Sequence, residues 1–387
     1  MKIAIDTRWI FAHISGIGEY TRELVRNLAV LDRTHEYTLI FNDEAVMQRT
    51  IQELDLDAAL NFRMHLVPYG LFSPMGQWQL PRDLRRLGID LFHSTNYMIP
   101  LLAFPRNRQG RIRCVVTIHD VIPLLFRDHA PRSRKARLYP LYRRLMLEIG
   151  ARADRVVTVS AASAADIARM LEIPAGGRTK LCPIHNGVAA RFRPPSSRPR
   201  KSNATERRLL YVGRADPYKN LPILIEAFAR ARAHLPFPCR LLVAGSPDPR
   251  YPEAMQRAAQ LNIADAVQWT GYVSDNDLVS LYQKADALVH PSRYEGFGLQ
   301  VVEAMACGLP VFASNNGGLP EIVLEGEIGR LLPPGDVAVW AGAIASGVAE
   351  PATLKRWGTA ARRRAESEFT WAANAAMLEM KLSGEAA

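Results

Sequence analysis

The chain has 387 residues, 48% of them hydrophobic and 22% charged, with 25 Gly and 26 Pro; this composition excludes a fibrous or disordered chain, and the length suits two domains that each bury a core. Its 49 Lys+Arg exceed 38 Asp+Glu for a net charge of +11, so an anionic partner has to be considered from the start. Cys114, Cys182, Cys239 and Cys307 lie more than fifty residues apart without a C-x-x-C pair, which argues against a disulfide scaffold or a structural zinc site and fits a reducing cytoplasm.

In chain order, Met1–Asp6 has too short an apolar core for a signal peptide, and no apolar run reaches the roughly 18 residues of a membrane span. The expectation is a cytoplasmic protein. Lys2–Asp6, Tyr37–Phe41, Asp90–His93, Cys114–His119 and Arg155–Val159 read as strands, the last two as continuous apolar runs suited to a parallel sheet buried on both faces. Helices are predicted at Glu19–Leu31, Ser133–Gly150 and Ala161–Leu171. The stretch from Arg191 to Arg208 is rich in Pro, Ser and Arg and reads as a linker. Strands then resume at Leu209–Val212, Arg240–Ala244, Val267–Thr270, Ala287–His290 and Val311–Ala313, with helices at Leu221–Arg232, Asp275–Lys284 and Leu299–Cys307. This alternation predicts an α/β protein of two Rossmann-like, doubly wound parallel-sheet domains, residues 1–195 and 205–370, facing across a cleft. Pro351–Leu382 is helical by composition, and its end, about 371–387, is expected to cross back to the first domain.

The charge is not evenly spread. Residues 101–200 hold 20 Lys+Arg and 6 Asp+Glu, whereas residues 251–350 hold 4 and 12. Arg127–Arg144 reads as an amphipathic helix in which Arg132, Arg134, Lys135, Arg137, Arg143 and Arg144 alternate with Leu138, Tyr139, Leu141, Tyr142 and Leu145. Such a helix suits an anionic membrane surface; the plainer reading is a solvated face with its apolar stripe turned inward. A nucleic-acid partner is disfavoured, because no nucleic-acid-binding signature is present and the C-terminal half is acidic.

Three loops carry the chemistry. His13-Ile14-Ser15-Gly16-Ile17-Gly18-Glu19 follows the first strand and opens a helix, where small residues let backbone N–H groups approach an anion. A dinucleotide fingerprint would need a third Gly at position 21, which is Thr21, so a nicotinamide cofactor is disfavoured and a plain tight turn is the alternative. Gly213-Arg214-Ala215-Asp216-Pro217-Tyr218-Lys219-Asn220 follows the first strand of the second half. Arg214 and Lys219 there suit a diphosphate, and a cation at a helix start is otherwise unfavourable. The third loop, His290 to Gly298, ends a strand and opens a helix capped by Gly308. It carries Glu295, and Glu303 follows within the helix; were both helical, their Cα atoms would lie about 12 Å apart, which argues against a retaining glycosidase pair at about 5 Å, although side-chain reach and the loop leave that pairing open.

Glu295 to Glu303 resembles the E-x7-E motif of the retaining nucleotide-sugar glycosyltransferases of family 4, which have the GT-B fold. Gly308-Leu-Pro-Val311, Asn316-Gly-Gly-Leu-Pro-Glu321, the Arg214/Lys219 loop and Gly16-Ile-Gly18 stand in the family's order, so the resemblance covers essentially the whole chain. It implies that Arg214 and Lys219 hold the donor diphosphate, that Glu303 bonds the ribose hydroxyls, and that Glu295 with Gly296, Phe297, Gly298 and Leu299 holds the transferred sugar. Gly16 and Gly18 would approach the donor phosphates, and His119 with Asp120 would stand on the acceptor side. Read alone, a histidine at a strand end is more often structural. The backbone at Tyr272 and Val273 would read the nucleobase.

Two cations and a helix dipole aimed at a departing phosphate stand in for a metal. Asp55-Leu56-Asp57 and Asp275-Asn276-Asp277 read as helix-boundary sequence rather than ligands, so no metal or other cofactor is expected. No carboxylate of the motifs is well placed as a nucleophile, which favours front-face attack with the leaving phosphate as base. The pattern Ile5-Asp-Thr-Arg8 with Gly16-Ile-Gly-Glu-Tyr-Thr-Arg-Glu-Leu24 is similar to bacterial mannosyltransferases of O-antigen and exopolysaccharide assembly. The expected reaction is hexosyl transfer from a nucleotide sugar, GDP-mannose before UDP-glucose or UDP-N-acetylglucosamine, to a lipid-linked or oligosaccharide acceptor at the inner membrane face. A non-catalytic sugar-nucleotide binder or a basic nucleic-acid binder is the rival class.

Overall fold

The computed structural model describes residues 1–12, 16–127, 138–177, 179–195 and 206–383. They fall into two units. The first contains Met1–Leu124, Leu138–Gly187 and the chain from Trp371; the second contains Val188–Thr370 together with Leu125 to Arg127.

The elements of the first run are β1 (Lys2–Asp6), α1 (Gly16–Leu31), β2 (Glu36–Phe41), α2 (Glu44–Leu54), β3 (Phe62–Leu66), α3 (Pro74–Arg86) and β4 (Leu91–Ser94). They continue with β5 (Arg113–Ile118), α4 (Ile122–Leu125), α5 (Tyr139–Arg152), β6 (Arg155–Thr158), α6 (Ala161–Met170) and β7 (Lys180–Pro183). Next come β8 (Arg207–Val212), α7 (Leu221–Ala233), β9 (Cys239–Ala244), α8 (Glu253–Gln260), β10 (Val267–Gly271), α9 (Asp275–Lys284) and β11 (Ala287–His290). The chain ends with α10 (Leu299–Ala306), β12 (Val311–Ser314), α11 (Leu319–Ile322), β13 (Gly329–Leu332), α12 (Val337–Ala349), α13 (Pro351–Glu368) and α14 (Trp371–Ser383).

All strand pairs are parallel, in a seven-stranded sheet ordered β3-β2-β1-β4-β5-β6-β7 and a six-stranded sheet ordered β10-β9-β8-β11-β12-β13. Each order reverses once, between β1 and β4 and between β8 and β11, and the carboxyl edge at such a reversal is where doubly wound sheets bind ligands. Helix starts follow local chemistry. Asp43 accepts from Val46 N–H, Ser160 from Ser163 N–H and Ser274 from Asp277 N–H, each satisfying a donor the helix itself cannot.

The core of the first unit joins Ile3, Ile5, Leu24 and Leu28 to Trp371, Ala375 and Leu378 of α14. In the second unit Phe228, Phe312, Trp340 and Trp357 lie in one buried cluster. Side chains of this size contribute roughly 1.5–3 kcal/mol each on burial.

The sequence reading misses β3, β7 and β13, all at sheet edges. An edge strand is buried on fewer sides, so Phe62-Arg-Met-His-Leu66 and Lys180-Leu-Cys-Pro183 need not be uniformly apolar. The expected linker also runs too far, because Arg207 and Arg208 already pair in β8. Of the predicted basic helix, residues 128–137 lie outside the described residues, and the chain is helical from Tyr139 onward. In α5 Tyr142, Met146 and Ile149 are buried while Leu141, Arg143 and Arg144 are exposed. The C-terminal stretch is two helices broken at Phe369–Thr370. Among the described residues no single helix is long and apolar enough to cross a membrane.

Candidate functional site

In the second unit, the loops after β8 and β11 meet at the sheet's reversal. Lys219 closes the short turn Pro217–Lys219, and its Nζ donates to Glu295 Oε1 at 2.6 Å. Both side chains are buried. His290, at the end of β11, places Nε2 3.0 Å from the same oxygen, and Ser292 Oγ lies 3.2 Å from that nitrogen. Burial alone would raise the Glu295 carboxyl, but the Lys219 ammonium and the His290 bond outweigh it and hold the group well below the ordinary carboxylate range. Burial would likewise lower Lys219, yet the Glu295 charge leaves it above its ordinary value. Both groups are therefore ionised at neutral pH.

This pairing corrects the argument that a lysine at the helix start calls for a ligand: Glu295 neutralises it within the chain. Nor does Glu295 lie on the helix with Glu303, because α10 begins only at Leu299, so the helical 12 Å estimate does not apply. The Glu295 backbone is held by the 316–318 turn, where Gly318 N–H donates to Glu295 O at 2.9 Å and Asn316 Nδ2 to Arg293 O at 2.8 Å. Gly317 has φ +60°, and a Cβ there would lie 2.2 Å from the Glu295 carbonyl oxygen; no other residue fits.

Arg214 is differently disposed. Its side chain is 67% exposed, and its Nε and Nη2 grip buried Asp216 at 2.9 and 3.1 Å. The bidentate bond fixes the guanidinium plane while leaving its remaining donors at the edge. Each cation of the expected diphosphate clamp thus has its own carboxylate, and Arg214 is the one open to solvent.

Glu303 projects from α10, where Oε2 accepts the Tyr282 hydroxyl at 2.8 Å. Tyr282 is buried, and desolvation followed by the Glu303 charge raises its phenol well above the ordinary value, so it stays a proton donor. No side chain caps α10, whose N-cap is Gly298 at φ +110°; Val301 and Val302 N–H both donate to Gly298 O, which leaves the amides of Leu299 and Gln300 at this edge. Gly296 and Phe297 complete the loop, with Phe297 packed against Phe369 at 5.8 Å. Tyr272 is 79% exposed, and Val273 beside it is half-buried.

In the first unit Gly16 and buried Gly18 open α1, and residues 13–15 lie outside the described residues. Thr21 Oγ1 donates to Thr95 Oγ1 at 2.9 Å, which donates to Asp6 O at 3.1 Å, across the β1/β4 reversal. His119 Nε2 lies 3.0 Å from Thr95 O. A carbonyl only accepts, so Nε2 carries the proton and the neutral ring leaves Nδ1 as an acceptor. Burial pulls the His119 pKa down, against the opposing pull of the Thr95 carbonyl and Asp120. Its ring stands edge-on to Tyr20 at 4.7 Å. Thr117 Oγ1 joins Tyr20 Oη at 3.2 Å to His93 Nε2 at 2.9 Å. Asp120 Oδ1 accepts Ile122 N–H at 3.0 Å at the start of α4, a structural bond beside its predicted acceptor-side place.

The sequence reading overlooked Asp216, Tyr282, His290, Tyr20, Thr95 and Thr117. Asp216 had a local signal, two residues from Arg214; the others become partners only through the fold.

The sequence model described as Glycosyltransferase Family 4 matches residues 14–192, and that described as Glycosyl transferases group 1 matches 193–364. The MMP alpha-(1->4)-mannosyltransferase of Mycolicibacterium hassiacum is 31% identical over 319 residues, covering 78% of this chain and 69% of that protein. The O-antigen chain mannosyltransferase B of Escherichia coli is 28% identical over 353 residues, 87% of this chain and 88% of that one. The chain belongs to glycosyltransferase family 4. It spans about half the length of the Mycobacterium tuberculosis glycogen synthase it also matches, at 36% identity over 56% of this chain and 51% of that enzyme. Among solved structures, sucrose-phosphate synthase from Thermosynechococcus elongatus superposes with a TM-score of 0.74 at 24% identity, covering 99% of this chain and 98% of that one. Anabaena HepE in complex with UDP and glucose gives 0.72 at 20%, covering 99% of each. These likenesses are of fold, and the fold is GT-B.

Proposed function

We propose that the protein is a metal-independent retaining glycosyltransferase that moves a hexose, preferentially mannose from GDP-mannose, to a lipid-linked or oligosaccharide acceptor during surface-polysaccharide assembly. The observation that carries this reading is the Lys219–Glu295 pair across the β8/β11 reversal, with Arg214 open beside it. The preference for mannose is supported by the two mannosyltransferase relatives.

In this reading Arg214 and Lys219 hold the donor diphosphate, Glu303 accepts from the ribose hydroxyls, and Glu295 with the amides from Gly296 to Leu299 orients the sugar. The bond from the anomeric carbon to the phosphate oxygen breaks as negative charge grows on the phosphate, where a fixed guanidinium and the α10 amides stabilise it most. The acceptor oxygen bonds the same face of that carbon, and its proton passes to the departing phosphate. Lys219 engages Glu295 closely, so Glu295 acts as a positioned acceptor for sugar hydroxyls rather than a nucleophile. His119 presents Nδ1 as an acceptor for a hydroxyl, with Asp120 beside it, and Gly16 and Gly18 serve the donor phosphates. Tyr272 and Val273 serve the base.

The protein would work at the inner face of the cell membrane, bound peripherally. A donor screen by mass spectrometry with GDP-mannose, UDP-glucose and UDP-N-acetylglucosamine tests the reading. Turnover of GDP-mannose alone supports it, turnover of a UDP sugar replaces the donor, and trapping of a glycosyl–Glu295 adduct overturns the front-face step.

A further inference from the structure

We propose that the outer face of α3, with the preceding Phe72, is a membrane-docking surface that seats the first unit on an anionic phospholipid bilayer. This deepens the peripheral reading above and rests on it; the surface was not anticipated from the basic helix ending at Arg144. Of the 16 large hydrophobic side chains exposed among the described residues, 13 belong to the first unit. On α3 the inward face is Gly76, Leu80, Pro81 and Leu84, while Met75, Trp78, Arg82 and Arg85 are exposed. Spaced by three, seven and ten residues, these four form one stripe. The stripe is apolar at its first turns and cationic at its last.

Trp78 is 63% exposed, Phe72 64% and Met75 50%. Phe72 is braced rather than loose, because the buried Trp9 ring meets it edge-on at 5.9 Å. The charges beside the patch select its occupant. Arg82 and Arg85 make no ion pair among the described residues, and the acid of the helix, Asp83, is engaged by Tyr69 Oη at 2.8 Å and Arg86 Nη2 at 3.4 Å. An indole and a phenyl ring next to unpaired guanidinium groups match the boundary between acyl chains and anionic headgroups, where aromatic rings and cations are both favoured.

The test is partitioning of the full chain onto vesicles of phosphatidylglycerol and phosphatidylethanolamine, with phosphatidylcholine vesicles as the neutral control. The wild type binds the anionic vesicles in a salt-sensitive manner. The Phe72→Ser/Trp78→Ser and Arg82→Glu/Arg85→Glu variants each lower the partition coefficient roughly tenfold or more, with nucleotide binding and far-ultraviolet circular dichroism unchanged. Brominated acyl chains quench wild-type fluorescence more than that of Trp78→Phe. Folded variants that partition like the wild type overturn the proposal, as does equal quenching of wild type and Trp78→Phe. So does a self-associated wild type that these substitutions convert to monomer, since the face then covers a second copy. Vesicle binding needs no sugar donor, so it can fail while hexosyl transfer stands, and the reverse.

Discussion

Lys219 and Glu295 are 76 residues apart in sequence, yet Nζ and Oε1 lie 2.6 Å apart and buried. The pair crosses the reversal of the second sheet and ties the loop after β8 to the loop after β11. Its charges do two jobs, shaping the site and satisfying each other, which changes what a mutation there reports.

Lys219→Ala is therefore expected to affect more than transfer. It leaves Glu295 buried and uncompensated, a change that typically costs about 3–5 kcal/mol. A lowered urea midpoint should accompany loss of activity, and the Lys219→Met/Glu295→Leu double variant should recover much of the midpoint while staying inactive. An unchanged midpoint in Lys219→Ala would show that the pair contributes nothing to folding.

Asp216→Asn should weaken nucleotide-diphosphate binding without removing a group that touches the donor. The amide cannot grip both Nε and Nη2 as a charged acceptor does, so Arg214 loses its fixed orientation. The donor KM should rise roughly tenfold, about 1.4 kcal/mol, and Arg214→Lys should behave similarly because an ammonium cannot fork. Equal donor titrations of wild type and Asp216→Asn would count against this.

Tyr282→Phe removes one hydroxyl from a buried position and leaves Glu303 without its 2.8 Å donor. Loss of a hydrogen bond to a charged group is worth about 1.5–3 kcal/mol. The expected result, measured calorimetrically, is a loss of nucleotide affinity on that scale with the fold intact.

Acid should destabilise the first unit through His93. Burial, aided by nearby His119, depresses its pKa from 6.5 to about 3. The unfolded chain then binds more protons than the folded one between those values, so stability falls as pH drops below about 6.5, by roughly 1.4 kcal/mol per pH unit at the steepest. Glu295 and Lys219 add no slope near neutrality. The depressed Glu295 loses its contribution only as pH falls below the carboxylate range, and the raised Lys219 only as pH rises above 10.5. His93→Gln should flatten the acid limb in urea titrations at pH 7, 6 and 5.

Legibility followed burial. Strands such as Cys114 to Ile118 and Ala287 to His290 are apolar because both faces are covered, so they are visible in the sequence. The edge strands β3, β7 and β13 carry mixed residues because sheet edges are covered less completely. Exposed Trp78 gave no periodic signal of its own, because an aromatic on a helix reads as core until the buried face of that helix is known.

Read by itself, the order of residues determined that the chain is a doubly wound α/β protein and which loops hold its glycines, cations and carboxylates. These are local properties: side-chain period, turn chemistry and motif spacing act over a few residues. Only the tertiary structure decided that Glu295 neutralises Lys219, that Asp216 orients Arg214, that Tyr282 holds Glu303, and that His119 carries its proton on Nε2. Parallel pairing brings together loops separated by tens of residues, and a buried charge or ring nitrogen takes its state from whichever partner the sheet order sets beside it.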